Sequence, residues 1–198
     1  MKKVKLAAAI LGLLSISQIA NSATITNGNF DSGLTGWNAE GNVTLDAGGY
    51  AVLNTFDGID TSAYGGTNGS IFSQTVNALA GDVISFSYSF NTDDYLPYND
   101  FALVAGDAQY LVSDVATVGD GGSSGWQNFS FTALSNFSDL KFIVSNHTDT
   151  AFNSTLYIDN VSSGSVSAVP VPAAVWLFGS GLVGLLGFNR KRSQSLAA

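Results

Sequence analysis

The clearest structural signal in the chain is Ile84-Ser85-Phe86-Ser87-Tyr88-Ser89-Phe90. Four bulky apolar side chains alternate with three serines, which is the two-residue period of a β-strand with one buried face. A helix would scatter the same apolar side chains around its whole circumference. The segment therefore predicts a strand packed on a hydrophobic core.

Eight shorter segments have the same character and bring the predicted number of strands to about nine. They cover residues 43–45, 50–53, 71–76, 101–105, 110–112, 126–131, 140–144 and 156–158. Gly-Asp, Gly-Gly, Asn-Gly and Asp-Gly dipeptides separate them, and no sustained 3.6-residue apolar stripe occurs between Thr24 and Ala168. Many short strands with glycine-rich turns predict an all-β domain, a β-sandwich of the jelly-roll type, over residues 24–162.

The charge of this region is strongly one-sided. All fifteen acidic residues lie between Thr24 and Ala168, together with a single basic residue, Lys141. Such a surface repels phosphate backbones and has no basic patch, so nucleic-acid binding is excluded as a function. Most of the carboxylates are expected to be solvated, and some of them are candidates for binding divalent cations.

The chain has no cysteine, which excludes disulfides, thiolate metal sites and cysteine nucleophiles. Its stability must come from a hydrophobic core. A region of about 145 residues suffices for one ordinary domain, so one domain is expected.

The two ends of the predicted domain carry a resemblance. Asn27-Gly28-Asn29-Phe30-Asp31-Ser32-Gly33-Leu34-Thr35-Gly36-Trp37 and Leu156-Tyr157-Ile158-Asp159-Asn160-Val161 resemble the opening and closing strands of galactose-binding-like jelly rolls, and Gly125-Trp126-Gln127 adds to the match. That family includes carbohydrate-binding modules attached to bacterial glycanases. The resemblance supports a fold more than a function.

The same resemblance implies a structural Ca²⁺ ion held by Asp31 and Asp159, because acids at these two places often meet around calcium in that family. Ca²⁺ prefers carboxylate and carbonyl oxygens, which a glycine-rich opening segment can supply. The alternative is that Asp31 caps a local turn and Asp159 faces water. No other cofactor is expected.

A second polar cluster joins two predicted strands and is a candidate sugar-binding site. Its candidate ligand-binding residues are Asp93, Asp94, Tyr95, Tyr98, Asn99 and Asp100. Sugar recognition combines aromatic rings that stack on pyranose faces with carboxylates and amides that hydrogen-bond the hydroxyls. The alternative is an ordinary polar loop, and Trp37 and Trp126 are predicted to anchor the core.

Nothing in the sequence indicates an enzyme. His147 is the single histidine, so a two-histidine metal site cannot form, and its position in a loop after a predicted strand shows no assembled catalytic triad. Pairs of carboxylates able to hydrolyse glycosides would arise by chance among fifteen acids. A weak glycan hydrolase is only a remote alternative.

The N-terminus has the pattern of a secretory signal peptide. Lys2, Lys3 and Lys5 precede an apolar run at residues 6–16 that is too short to span a membrane, and Ala20-Asn21-Ser22 supplies small residues before a cleavage site. We therefore expect residues 1–23 to be a leader removed by signal peptidase, with the cut after Ser22 or Ala23.

The C-terminus has three consecutive features that predict membrane insertion. Residues 163–169 form a predicted Ser/Gly linker, residues 173–188 contain no charge, and Arg190, Lys191 and Arg192 follow. Sixteen residues of helix cover about 24 Å, short of the hydrocarbon core of about 30 Å, so the segment is a marginal transmembrane helix. The basic cluster would stay in the cytoplasm, which leaves the domain outside.

This tail, residues 170–198 together with Val169, resembles the PEP-CTERM sorting signal of Gram-negative bacteria, which combines a Pro-Glu-Pro-type motif, a transmembrane helix and a basic cluster. Here the motif is Val169-Pro170-Val171-Pro172, with Val171 in the place of the glutamate. The resemblance implies cleavage by an exosortase and delivery through the inner membrane to the outer surface or matrix.

Together these features predict an exported, non-enzymatic surface or matrix protein that binds polysaccharide, with exopolysaccharide as its expected partner. The alternative is a purely structural or adhesive biofilm component with no small ligand.

Overall fold

The computed structural model describes residues 23–165. The chain divides into two compact units, Met1–Val166 and Ser167–Ala198, and the described residues all belong to the first. The predicted leader up to Ser22, residues 166–169 of the linker and the predicted sorting signal lie outside the described residues. Within residues 23–165, no helix has the length and apolar character needed to cross a membrane.

The described part of the chain is built almost entirely of strands. In chain order they are β1 (Asn38–Glu40), β2 (Asn42–Leu45), β3 (Ala51–Asn54), β4 (Ile59–Asp60), β5 (Asn68–Ala78), β6 (Asp82–Thr92), β7 (Phe101–Ala105), β8 (Gln109–Asp114), β9 (Gln127–Thr132), β10 (Phe137–Ser145) and β11 (Ser154–Ser165). A 3₁₀ turn covers Ser62–Tyr64, and one helical turn, α1, covers Val115–Val118.

The strands form two antiparallel sheets. The first has the order β1-β5-β10-β7-β8 with β4 added to β5, and the second has the order β2-β3-β11-β6-β9. The all-β prediction is confirmed, and each of the nine predicted segments overlaps a strand. The short strands β1 and β4 were not predicted, because Asn38–Glu40 is polar and Ile59–Asp60 has only two residues.

The hydrophobic core lies between the two sheets. Along β6, the side chains of Ile84, Phe86 and Phe90 are buried, as their alternation with serine predicts. Other strands of both sheets contribute further fully buried side chains to the same cluster: Leu53, Leu156 and Ile158 from the sheet of β6, and Phe72, Leu140 and Phe142 from the facing sheet. Because no cysteine staples this domain, these apolar contacts provide most of its stability.

The opening segment of the domain packs against its closing strand. Val161 donates its backbone N–H to the carbonyl oxygen of Gly28 at 2.8 Å. A Cβ atom at Gly28 would lie 1.9 Å from the Val161 carbonyl oxygen, so only glycine allows this approach. Trp37 stacks on Phe72 at 4.7 Å, and its indole N–H donates to the carbonyl of Thr26 at 3.1 Å. Trp37 is therefore the core anchor that the sequence predicts.

One predicted boundary is wrong, namely the start of the linker at Ser163. Residues 163–165, predicted to begin the linker, belong to β11, and Ser165 pairs with Asp82 of β6. Small polar side chains do not prevent backbone pairing when the neighbouring strand is long enough. Ala23, included in the predicted leader, is buried, and its nitrogen donates to Asp82 Oδ2 at 2.9 Å.

Candidate functional site

Three aromatic side chains form a cluster on the outer face of the second sheet. We call it the aromatic cluster, and it consists of Tyr50, Trp126 and Tyr157. The ring centroids of Tyr50 lie 5.3 Å from Trp126 and 5.8 Å from Tyr157, and Trp126 lies 6.5 Å from Tyr157. Trp126 is 50% exposed, so a large part of its indole ring is available to a ligand.

The alternation of side chains along the strands explains why these rings point outward. Tyr157 lies between the buried Leu156 and Ile158 on β11. Tyr50 immediately precedes β3 and has the opposite parity to the buried Ala51 and Leu53, so it belongs to the outer face. Trp126 likewise lies an odd number of residues from Phe129 and Phe131 of β9, which pack on the core, so its side chain belongs to the outer face.

Small polar residues lie between and beside the rings; Ser87 is partly exposed, whereas Ser89 is buried. Ser89 of β6 pairs with Tyr157, and Ser87 pairs with both Asp159 and Asn128. A groove of about 330 Å³ follows this line and is lined by Ser87, Trp126, Gln127, Asn128, Asp159 and Asn160. Because serine side chains are short, they leave a depression beside the indole ring of Trp126 in which hydroxyl and amide groups are accessible.

Two local interactions orient the groups around this groove. The pKa of Tyr50 is raised, mainly by its hydrogen bond to the Asp46 carboxylate. Burial and the charge of Asp46 raise it a little further. Asp159 accepts from the backbone N–H of Asn160 at 2.7 Å and from its side-chain amide at 3.0 Å. The pairing of β11 with β6 shifts register after Asp159, and Asn160 adopts a positive φ of 53°. This bulge places Asp159 and Asn160 together at the edge of the groove.

The prediction that Trp126 anchors the core is wrong. Gly125 precedes it with a positive φ of 57°, and the ring lies on the solvent face. The sequence contained the signal that identifies all three members of the aromatic cluster. In each segment the aromatic residue has the opposite parity to its apolar neighbours, which assigns it to the outer face.

The loop at residues 93–100 does not present its polar side chains as one surface. Asp93 is exposed, whereas Asp94 and Asp100 are 0% exposed. Asn99 is used internally, since its side chain accepts from the N–H of Ala116 at 2.8 Å and donates to Asp114 at 3.0 Å. The two buried acids would have to be uncovered before they could contact a sugar.

The tyrosines of this loop form a separate small aromatic patch. Tyr95 is 44% exposed and lies 5.5 Å from Tyr98 and 5.9 Å from Phe152, measured between ring centroids. Sugar binding through Tyr95 and Tyr98 stays a prediction. The patch lies on loops, whereas the aromatic cluster is built on paired strands that hold it more rigidly.

The carboxylates proposed to bind calcium are engaged by local hydrogen bonds. Asp31 is exposed and accepts from the side-chain amide of Asn29 at 2.5 Å, and both oxygens of Asp159 accept from Asn160. Within the part of the chain that the structure describes, no group of three or more His, Asp or Glu side chains is placed to hold a metal ion. A calcium ion at Asp31 and Asp159 would depend on backbone carbonyls, and it stays a prediction.

His147 has a structural setting. Its backbone N–H donates to Asp100 Oδ1 at 2.9 Å, and its ring contacts Thr148 Oγ1 at 3.1 Å and lies 6.4 Å from Phe101. The imidazole contacts only the hydroxyl of the adjacent Thr148 among these groups, and none of the contacts supplies a carboxylate that would orient the ring. The geometry around the histidine therefore gives no support to catalysis.

Comparison with known proteins finds similar solved structures at low sequence identity. No family model matches the sequence, and no curated protein matches it. Similar solved structures include the N-terminal cellulose-binding domain of β-1,4-glucanase C from Cellulomonas fimi, at 18% identity, with 73% of this chain and 98% of that chain covered and a TM-score of 0.44.

A family 4 carbohydrate-binding module is similar at 19% identity, with 69% of this chain and 99% of that chain covered and a TM-score of 0.41. A family 61 module, solved with β-1,4-galactotriose, is similar at 15% identity, covering 73% and 99%, with a TM-score of 0.37. Because these TM-scores are below 0.5, the similarities carry no argument about what this chain binds.

Proposed function

We propose that this protein is a non-enzymatic, polysaccharide-binding protein of the cell surface or extracellular matrix. The observation that carries the proposal is the aromatic cluster beside a strip of short polar side chains. An aromatic ring covers the apolar face of a pyranose, while carboxylate, amide and hydroxyl groups at its edge bind the sugar hydroxyls. The groove along Ser87 and Trp126 offers both kinds of group within one surface.

The charge around the groove favours a neutral polysaccharide. Asp159 lines it and Asp46 holds the ring of Tyr50, whereas Lys141, the single basic residue between Thr24 and Ala168, lines a different groove. An anionic sugar would be repelled by this surface, and among residues 23–165 no guanidinium or ammonium group is placed to bind its carboxylates. We therefore expect neutral chains to bind better than uronic-acid chains.

The shallow shape of the site favours binding of a polysaccharide chain over binding of a single monosaccharide. The groove is shallow and lies on a sheet face, and Tyr157 and Tyr50 extend the aromatic surface beyond Trp126. A single monosaccharide would cover one ring only, whereas a chain would contact several at once and gain affinity from each.

The test is binding of the purified full chain to a panel of neutral and acidic polysaccharides, on a glycan array and by co-sedimentation. We expect at least one neutral polysaccharide to bind and the variant with Tyr50, Trp126 and Tyr157 all changed to alanine to lose that binding. Absence of any glycan ligand, with altered cell aggregation on gene deletion, would favour the alternative of a structural or adhesive biofilm component. Binding unchanged in the triple variant would contradict the site.

We further propose export and sorting by the two terminal segments. Signal peptidase would remove the leader, and the contacts of Ala23 with Asp82 favour the cut after Ser22. An exosortase would then act near Pro170-Val171-Pro172 and release the domain from the inner membrane. The test is intact mass and cell fractionation in hosts with and without the exosortase. A tail that persists in the inner membrane in both hosts would indicate a plain anchor.

A further inference from the structure

Two carboxyl groups are buried side by side in the loop between β6 and β7. Asp94 and Asp100 are both 0% exposed. They lie close enough to share a hydrogen bond when one of them carries a proton. Lys141, the single lysine or arginine among residues 23–165, lines a groove beside Asp107 and Asp139 instead. No basic side chain of the described residues therefore compensates the buried pair.

The hydrogen bonds around the pair leave one oxygen without a partner. Asp100 accepts from the N–H of His147 at 2.9 Å and from the hydroxyl of Ser154 at 2.7 Å, one through each carboxylate oxygen. Asp94 accepts from the N–H of Tyr95 at 2.7 Å through Oδ1. Its Oδ2 atom is buried and has no hydrogen-bond partner. When both carboxyl groups are ionised, this oxygen has lost its water and gained no hydrogen-bond donor in return, which is costly.

The surroundings of this oxygen are negative and rich in further oxygen atoms. Burial raises the pKa of Asp94, and the carboxylates of Asp149 and Asp120 raise it further. Burial raises the pKa of Asp100 to about 7, and the negative charges of Asp94 and Asp149 act in the same direction. The hydrogen bonds from Ser154 and His147 lower this pKa but do not outweigh burial. The hydroxyl groups of Thr92 and Ser154 lie 2.8 Å apart next to the pair. A positive ion at this place would relieve both the repulsion and the unsatisfied oxygen.

We propose that Asp94 and Asp100 bind a Ca²⁺ ion between the β6–β7 loop and the start of β11. The donor set consists of oxygen atoms, which hard divalent cations prefer over nitrogen or sulfur ligands. Asp94 Oδ2 and the Asp100 carboxylate supply the charge, and hydroxyl, carbonyl or water oxygens complete a shell of six to eight ligands. This site is separate from the one expected at Asp31 and Asp159.

The consequence of binding is a fixed loop. Asp94 accepts the N–H of Gly121 through its carbonyl at 2.8 Å, and the carbonyl of Asp100 accepts the N–H of Val115 at 3.0 Å. An ion held by both side chains would therefore join three segments that already share backbone hydrogen bonds: the β6–β7 loop, the α1 region and the start of β11. We expect these segments to become more resistant to protease when calcium is bound.

The test uses the purified full chain, with calcium binding followed by calorimetry and thermal unfolding followed in EDTA and in CaCl₂. Calcium at about 100 times its Kd is expected to raise Tm by about 5–10 °C. Asp94→Asn and Asp100→Asn are each expected to weaken calcium binding at this site at least 10-fold and to remove the part of the Tm shift that this site provides. In EDTA both variants should be at least as stable as the wild type, because each loses a buried like charge. The two substitutions are independent, so the test stands if one variant does not fold.

The matched control is Asp57→Asn, an exposed carboxylate outside both candidate calcium sites, which should leave this binding event unchanged. A wild-type protein that binds no calcium at 10 mM would overturn the proposal. Calcium binding with unchanged stoichiometry and affinity in both Asp94→Asn and Asp100→Asn, or binding that is lost only in Asp31→Asn or Asp159→Asn, would overturn it as well. Failure of calcium binding would leave the polysaccharide proposal unaffected, because the aromatic cluster uses none of these residues.

Discussion

Replacing Trp126 with alanine should weaken polysaccharide binding about 10- to 150-fold. A tryptophan side chain has about 250 Å² of surface, and Trp126 is 50% exposed, which leaves about 125 Å² for a ligand. At about 25 cal/mol per Å², complete coverage is worth about 3 kcal/mol, an upper limit of about 150-fold. A sugar that stacks on one face of the ring covers about half of that area, which corresponds to about 10-fold.

The same substitution should hardly change the stability of the domain. Trp126 contacts Tyr50 and Tyr157 on the outer face and is not part of the core, so we expect a loss of about 1 kcal/mol and a Tm lower by about 2–4 °C. Affinity is measured by calorimetry or affinity electrophoresis with the best-binding polysaccharide. Leu134→Ala is the matched control, because Leu134 is 81% exposed but follows the opposite end of β9. Equal affinities of the wild type and Trp126→Ala would refute the reasoning, as would an equal loss in Leu134→Ala.

Three further predictions concern stability. Gly28→Ala should destabilise the domain by about 3 kcal/mol, because the added Cβ would lie 1.9 Å from the Val161 carbonyl oxygen. Gly164→Ala is the control: no atom lies within 4 Å of the added Cβ, so the free energy of unfolding should change by less than about 0.5 kcal/mol. Chemical denaturation measures both changes. Burial alone would raise the pKa of Asp107, but hydrogen bonds from Leu134 N–H at 2.6 Å, from the hydroxyl of Tyr110 at 3.0 Å and from Ser135 N–H at 3.4 Å outweigh burial and lower it. Because the folded pKa lies below the unfolded one, the stabilisation is present above the unfolded pKa of about 3.9 and is lost as pH falls through the folded pKa. Asp107→Asn should therefore lower Tm by about 2–4 °C at pH 7 and by less at pH 2, and an equal loss at both pH values would contradict this sign. If Asp31 and Asp159 hold calcium as their sequence context implies, Asp31→Asn should remove part of the calcium-dependent rise in Tm; an unchanged rise in this variant would show that they do not.

The strands of this domain could be predicted because its core residues follow the two-residue period closely. Ile84, Phe86 and Phe90 of β6 are buried as the alternation with serine predicts, although Tyr88 is only half-buried and Ser89 is buried. The two end segments that carry the resemblance are in contact through Gly28 and Val161. The register and the order of strands could not be predicted. They depend on pairings between residues far apart in sequence, such as Phe142 with Phe72, which no local pattern specifies.

The candidate site was predictable only in part. The polar loop drew attention because it concentrates acids and tyrosines, yet burial separates Asp94 and Asp100 from its exposed rings. Burial of a charged side chain depends on the segments that cover it, here the residues around Gly121 and Ser154, and sequence reasoning expects charges at the surface. The aromatic cluster was missed because tryptophan was assumed to be core, although the parity of Trp126 against Phe129 and Phe131 indicated otherwise.

The most direct test of the central claim is an NMR titration that follows the indole N–H signals of the full chain. The sequence has three tryptophans, so few signals need assignment, and Trp126→Phe identifies the one that matters. The account predicts that a neutral oligosaccharide shifts the Trp126 signal in a saturable way while Trp37, whose N–H is hydrogen-bonded to the carbonyl of Thr26, stays in place. A saturable shift elsewhere with no change at Trp126, or no shift with any neutral glycan, would contradict it.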